Sequence, residues 1–222
     1  MPLCLRPGLS FCRVADRVIF LDLAADRYFC LSAPAEVAFM RYLDEGDRSG
    51  PSAELASLRT MGLLNEQAGC RIPAPCAAPT IPEVSLLDEP LPHVGAMPIV
   101  TALGDLAASR VRLKALGLNR TLAAIRRRKA KLADDHNPHP DYQLRRTIAA
   151  FRGADGIIST LDNCLSQSVA VAGRLLREGV ATTLVIGVRL GPFNAHCWVQ
   201  RGDRLVNDRF DMVRMFTPIL VV

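Results

Sequence analysis

The chain of 222 residues is poor in aromatic side chains, 5% of the total, with Trp198 as its single tryptophan. It has no uninterrupted apolar run of about 18 residues, roughly the least that a membrane-spanning helix requires. Its first residues, Met1-Pro2-Leu3-Cys4-Leu5-Arg6-Pro7, lack the apolar core of a secretory signal. A cytoplasmic protein without stable membrane insertion is therefore expected. The seven cysteines include no C-x-x-C pair. Cys70 and Cys76, in a proline-rich stretch, have only a weak zinc spacing. Cys4, Cys12, Cys30, Cys70, Cys76 and Cys197 read as reduced thiols, mostly in packing positions. His136 and His139 lie in Asp134-Asp135-His136-Asn137-Pro138-His139-Pro140, read as a solvated loop in preference to a metal site. No internal repeat is present, and neither metal nor cofactor is called for.

Half of the residues are hydrophobic, enough for a sizeable core. The formal charge of +5 is concentrated between Arg110 and Lys131, where nine residues are Lys or Arg. Basic runs bind nucleic acid through phosphates. This one lies on an amphipathic helix with Leu122, Ile125 and Leu132 and has no interleaved aromatics. A solvated helix face is the first expectation, and a docking surface for an acidic peptide or partner protein the second. Seven prolines fall between Pro73 and Pro98. Proline fixes φ and removes a donor, so 73–98 reads as an extended linker between domains at 1–72 and 99–222.

In the first domain, 18–23 and 27–31 read as strands joined by Ala24-Ala25-Asp26, a loop of hairpin length. Ser32 is an N-cap candidate, with Pro34 and Glu36 in the first helical turn. That helix runs to Gly46. A second covers 49–61 with Leu55 and Leu58 inward, and 62–66 turns into a wing. The order describes a small winged-helix-type module. Its second helix has one basic and one acidic residue, with no cluster for phosphates, so DNA is not the expected ligand. An exposed strand edge suits an extended peptide added as a further strand; a purely structural module is the alternative. Tyr28, Phe29 and Leu31 are the candidate peptide contacts. Tyr28 and Phe29 alternate faces, one toward a ligand and one toward the core.

The second domain reads as helices at 101–116, 119–133 and 141–151, then a segment at 157–161, a helix from Cys164, and strands at 182–189, 195–200 and 205–210. Helices first and sheet after describe an α+β, papain/transglutaminase-like core. Leu165, Val169, Ala172 and Leu176 lie on one helix face, and Gly179 follows as the helix stop. Asp162 and Asn163 are good N-caps. Cys164 then sits in the first turn, where unsatisfied N–H groups and the helix dipole favour a thiolate. An imidazole held by a carboxylate removes the thiol proton and returns it to the leaving group. His196 and Asp208 are the candidates. With a three-residue loop at Arg201-Gly202-Asp203, residue 196 faces residue 208, Cβ atoms about 5 Å apart; a two-residue loop puts them on opposite faces. Asp211 is the weaker carboxylate. Asn163 and Gln167 are candidate oxyanion donors beside the Cys164 N–H. Trp198 shares a strand face with His196, as a roof to the site or as core. Cys197 points the other way.

Asn163-Cys164-Leu165, Leu184-Val185-Ile186-Gly187-Val188 and Phe193-Asn194-Ala195-His196-Cys197-Trp198-Val199 resemble the B protein of lasso-peptide biosynthesis. Cys197 stands where that family often has alanine. The resemblance implies a transglutaminase-like cysteine protease with Cys164, His196 and Asp208 as its triad, cleaving leader from precursor peptide. It implies that the N-terminal module is a leader-recognition element, here fused to the protease, and that an ATP-dependent cyclase is the partner that takes the product. A transglutaminase-like acyltransferase uses the same triad with an amine acceptor. A non-catalytic scaffold delivering precursor to the cyclase is the third reading.

Overall fold

The computed structural model describes residues 2–46, 52–67, 69–132, 139–155 and 164–222. The chain divides into two compact units, Met1–Ala77 and Ala78–Val222.

The first unit contains β1 (Leu3–Leu5), β2 (Leu9–Val14), β3 (Arg17–Asp22), β4 (Arg27–Cys30), α1 (Ala33–Glu45), α2 (Ala53–Thr60) and β5 (Leu64–Glu66). The two strands expected from the sequence are β3 and β4. They form an antiparallel sheet with β2, and β1 pairs separately with β5. Phe11, Phe20 and Phe39 are buried between the sheet and the helices, with Leu55 and Leu58 of α2 inward as expected. Glu36 enters α1 buried; its carboxylate accepts from the Val18 N–H and from Arg17. Ser32 stands at the N-cap position, but its side chain makes no cap bond. Ser52 caps α2 by accepting from the Leu55 N–H at 3.1 Å. The earlier start expected for that helix, at 49, lies outside the described residues.

The second unit contains β6 (Val84–Ser85), α3 (Ala96–Lys131), α4 (Pro140–Asp155), α5 (Cys164–Arg177), β7 (Thr183–Arg189), β8 (Asn194–Arg201), β9 (Arg204–Leu205), α6 (Phe210–Val213) and β10 (Thr217–Val221). Its sheet runs β10-β7-β8-β9-β6, antiparallel except where β6 meets β9. The architecture is mixed α+β. α5 lies against α3, α4 and β8, so it is central to the unit. Gly117 breaks α3 with φ 75° and ψ 172°, the break expected between the 101–116 and 119–133 helices. Gly179, at φ 76°, follows α5 as the expected stop.

Two expectations are corrected here. The stretch 73–98 is not simply an extended linker: Val84–Ser85 joins the sheet edge in parallel with Arg204–Leu205. The strand expected over 205–210 is reduced to Arg204–Leu205, and α6 follows it. Among the described residues no helix is long and apolar enough to cross a membrane.

Candidate active site

Cys164 is the first residue of α5. The segment 156–163, with the candidate caps Asp162 and Asn163 and the 157–161 segment, lies outside the described residues; so does His136. The first amides of a helix have no intrahelical acceptor. Here the Leu165 N–H donates to the Cys164 sulfur, joined by the Cys197 N–H from β8, and His196 hydrogen-bonds it through its side chain. Burial pushes the thiol up. The His196 bond, the two amides and the imidazole charge outweigh burial and hold it below its ordinary value. His196 is pushed up to about 9: burial opposes its charge, but bonds to Asp208 and Cys164 and their negative charge prevail. Both shifts favour the thiolate–imidazolium form of the pair over the neutral one.

The His196 Nε2 hydrogen-bonds the Asp208 Oδ2. That leaves Nδ1 as the nitrogen that faces the sulfur. The other Asp208 oxygen accepts from the Arg209 N–H at 2.7 Å. Both side chains are largely shielded, 17% exposed for His196 and 14% for Asp208, so their pairing is screened little by water.

The register that brings them together is not the one expected. Gln200 pairs with Leu205 and Arg201 with Arg204, so the turn has two residues, Gly202 and Asp203. Gly202 takes φ 60°, which suits a tight hairpin turn. Continued, that ladder would put Asp208 on the face opposite His196. The chain leaves the ladder first. Val206 still bonds Val199, but the Val199 N–H then donates to the Asn207 side chain at 2.8 Å. Asn207 donates in turn to the Ser168 Oγ at 2.9 Å, and Ser168 to the Cys197 carbonyl at 2.8 Å. Ser85 of β6 donates to the Asp208 carbonyl at 2.7 Å. These bonds tie α5, β8, β6 and the post-β9 segment to one another around the imidazole.

Rings set its plane. Phe216 lies 5.1 Å from the His196 ring, tilted by 32° to it, and Trp198 stacks at 6.3 Å. Gly187 is the cross-strand partner of His196. A Cβ there would come within 2.9 Å of both Trp198 and Phe216, so the glycine makes room for the rings. Trp198 is 1% exposed and donates to Gln200; of its two readings, it is core that also backs the imidazole. Cys197 is fully buried against Ser168, and burial pushes its thiol far up.

Other candidates stand elsewhere. The Gln167 amide donates to both Asp155 oxygens, at 3.0 and 3.2 Å. That fastens α5 to α4 and corrects its assignment as an oxyanion donor. Asp211 is exposed and pairs with Arg214. In the first unit Phe29 stacks on Phe20 at 5.1 Å, with the Arg27 guanidinium over it. Phe29 and Leu31 line a groove of about 740 Å³ between β4 and α2. Tyr28, on the alternate face of β4, is not among its lining residues. Among the described residues no group of three or more His, Cys, Asp or Glu side chains is placed to hold a metal. Sequence reasoning missed Ser85, Ser168, Gly187, Asn207 and Phe216. Only Gly187 carried a signal, as a lone glycine in a β-branched strand.

Comparison with known proteins bears on this unit. Residues 106–221 match the family described as the transglutaminase-like superfamily, a span that holds Cys164, His196 and Asp208. Over 50 residues the chain is 40% identical to the Microcin J25-processing protein McjB of Escherichia coli, a stretch covering 22% of this chain and 24% of that protein. The match thus spans about a quarter of that relative's length. No solved structure matches the chain.

Proposed function

The chain belongs to the transglutaminase-like superfamily, and from that premise we propose that it is a leader peptidase of lasso-peptide maturation, hydrolysing the bond between leader and core. The observation that carries this is the line from the Cys164 sulfur through His196 to the Asp208 carboxylate, with the thiol held low and the imidazole high. Two further facts support the pathway: the resemblance of 193–199 to lasso B proteins, and the identity with a relative named for processing a microcin.

The Cys164 thiolate attacks the scissile carbonyl. The His196 imidazolium gives its Nδ1 proton to the leaving amine, and the core peptide departs with a free α-amine. His196, now neutral, takes a proton from water as the hydroxyl adds to the thioester; the Cys164 thiolate is expelled, the leader leaves with a free carboxylic acid, and the thiolate–imidazolium pair is restored. Asp208 holds the ring tautomer and offsets the imidazolium charge. The Cys164 N–H at the helix start is one oxyanion donor.

The first unit serves as a winged-helix-type leader-recognition module. β4 stands at the edge of its sheet, the place from which a sheet is extended by an added strand. The groove beside it, with Phe29 and Leu31, receives side chains of the leader. The released core passes to an ATP-dependent cyclase in the cytoplasm. The test is mass spectrometry of the precursor from the same gene cluster, incubated with wild type and Cys164→Ala, with and without that cyclase. Cleavage at one site by wild type alone is expected. A precursor bound but never cut would leave a scaffold, and a product carrying an added amine would mark an acyltransferase.

A further inference from the structure

We propose that the groove between α3 and α5 is a docking site for an acidic, amphipathic helix of a partner protein. The inference goes beyond peptide cleavage and uses none of the triad. Its first support is charge. From Leu106 to Leu132 there is no Asp or Glu and there are nine Lys or Arg. Elsewhere in the same unit arginines find carboxylates: Arg174 and Arg177 share Asp105, and Arg145 and Arg204 share Glu89. Arg112, Arg120, Arg127 and Arg128 have no ion pair among the described residues. An array of like charge without internal partners is complementary to an anionic surface from outside.

The second support is shape. Those four arginines border a groove of about 530 Å³. The break at Gly117 separates the half of α3 that carries Arg112 from the half that carries the others. Beyond the break, Arg120, Ala123 and Arg127 follow one another at helical spacings of three and four, as a stripe along the opening. The floor is apolar: Ala123, Ala124 and Ile125 from α3 line it with Val169 and Gly173 from α5. Glycine inside a helix is unfavourable, and a Cβ at Gly173 would meet only the Arg177 guanidinium, at 3.9 Å. The packing of this chain gives no reason for glycine there; a helix approaching closely from outside does. An apolar floor between cationic rims fits a helix with an apolar face and acidic flanks. The concave shape does not fit a flat bilayer, and the site has no aromatic platform for bases.

The test uses the full chain and fluorescence anisotropy of a labelled synthetic 20-residue helix, Leu and Ala on one face and Glu on the flanks. Its Gln-for-Glu counterpart, phosphatidylglycerol vesicles and a 20-nucleotide single-stranded DNA are compared at the same salt. The acidic helix should bind, and more weakly as salt rises. Affinity should fall tenfold or more with the Gln peptide, with R127A/R128A, and with Gly173→Leu, which fills the floor and keeps every charge. Ala123→Leu fills the same floor from α3 and serves if Gly173→Leu does not fold by circular dichroism. Unchanged affinity in a folded floor-filling variant would overturn the proposal in favour of a diffuse cationic face. So would equal binding of the Gln peptide, no binding of the acidic helix, or tighter binding of the vesicles or the DNA.

Discussion

In the first unit, four phenylalanines hold the sheet: Phe11, Phe20, Phe29 and Phe39 lie with ring centroids 5.1 to 5.6 Å apart. In the second, the sulfur, imidazole and carboxylate rest on hydrogen bonds between side chains and backbone, from Ser85, Ser168 and Asn207. Apolar packing has no direction. It secures which face of β4 looks inward and leaves an edge on which chains of varied sequence can be added. Hydrogen bonds are directional and short, and they fix where a ring nitrogen points. Proton transfer between sulfur and nitrogen needs that placement; strand addition does not.

The comparison breaks most visibly at the thiol. Cys164→Ala should lower precursor cleavage by about a million-fold, to the assay floor, as loss of a nucleophile does in such triads. Leader binding by fluorescence anisotropy should stay within twofold of wild type, because recognition is assigned to the other unit. Asp208→Asn should lower kcat by about 10³–10⁴, since it supports the wrong imidazole tautomer; a fully active Asp208→Asn would remove the carboxylate assignment. Phe20→Ala should destabilise the first unit by about 3–5 kcal/mol, read by urea unfolding. It should weaken leader binding while iodoacetamide still alkylates Cys164 at the wild-type rate. Ser168→Ala sharpens the contrast at lower amplitude. It removes an acceptor from Asn207 and a donor to the Cys197 carbonyl, costing about 1–3 kcal/mol. Cleavage should show it as a drop in kcat of roughly tenfold with KM unchanged, since about 1.4 kcal/mol at the transition state is a factor of ten. An unchanged kcat per folded enzyme, with only the unfolding midpoint lowered, would make Ser168 merely structural.

Local patterns were legible and distant ones were not. The apolar series from Leu165 to Leu176 marks α5, and Gly179 marks its end, because helix periodicity is written within a few turns. β7 reads directly from its β-branched run. β1, by contrast, exists because Leu3–Leu5 pairs with Leu64–Glu66 some sixty residues away. Val84–Ser85 becomes a strand in a proline-rich stretch only because Arg204–Leu205 lies beside it. β10 was missed for the same reason: its partner β7 lies far upstream. His196 and Asp208 were expected to meet, but through a ladder that ends before it reaches them. Three polar side chains decide the outcome instead, and no spacing in the sequence announces that Asn207 takes the place of a strand residue.

The smallest expected effect is a pH trend that separates the two units by their charge chemistry. His196 is raised from its ordinary value of 6.5 to about 9. A raised basic group binds its proton more tightly when folded, so its contribution to stability is full below pH 6.5. That contribution diminishes above this value and is gone once pH has risen through about 9. Cys164 runs the other way: with its folded value lowered, its contribution is full above the ordinary 9.0 and is lost as pH falls through the folded value. Cleavage by the thiolate–imidazolium pair should accordingly fall as pH rises through about 9. The check is urea unfolding of wild type and His196→Gln at stepped pH, following the single tryptophan, Trp198, beside the imidazole. The stability difference between them should be largest near pH 6.5 and shrink toward pH 10. A difference that holds constant across that range would mean that His196 is not held as the imidazolium, and the resting state of the site would then be a neutral thiol beside a neutral ring.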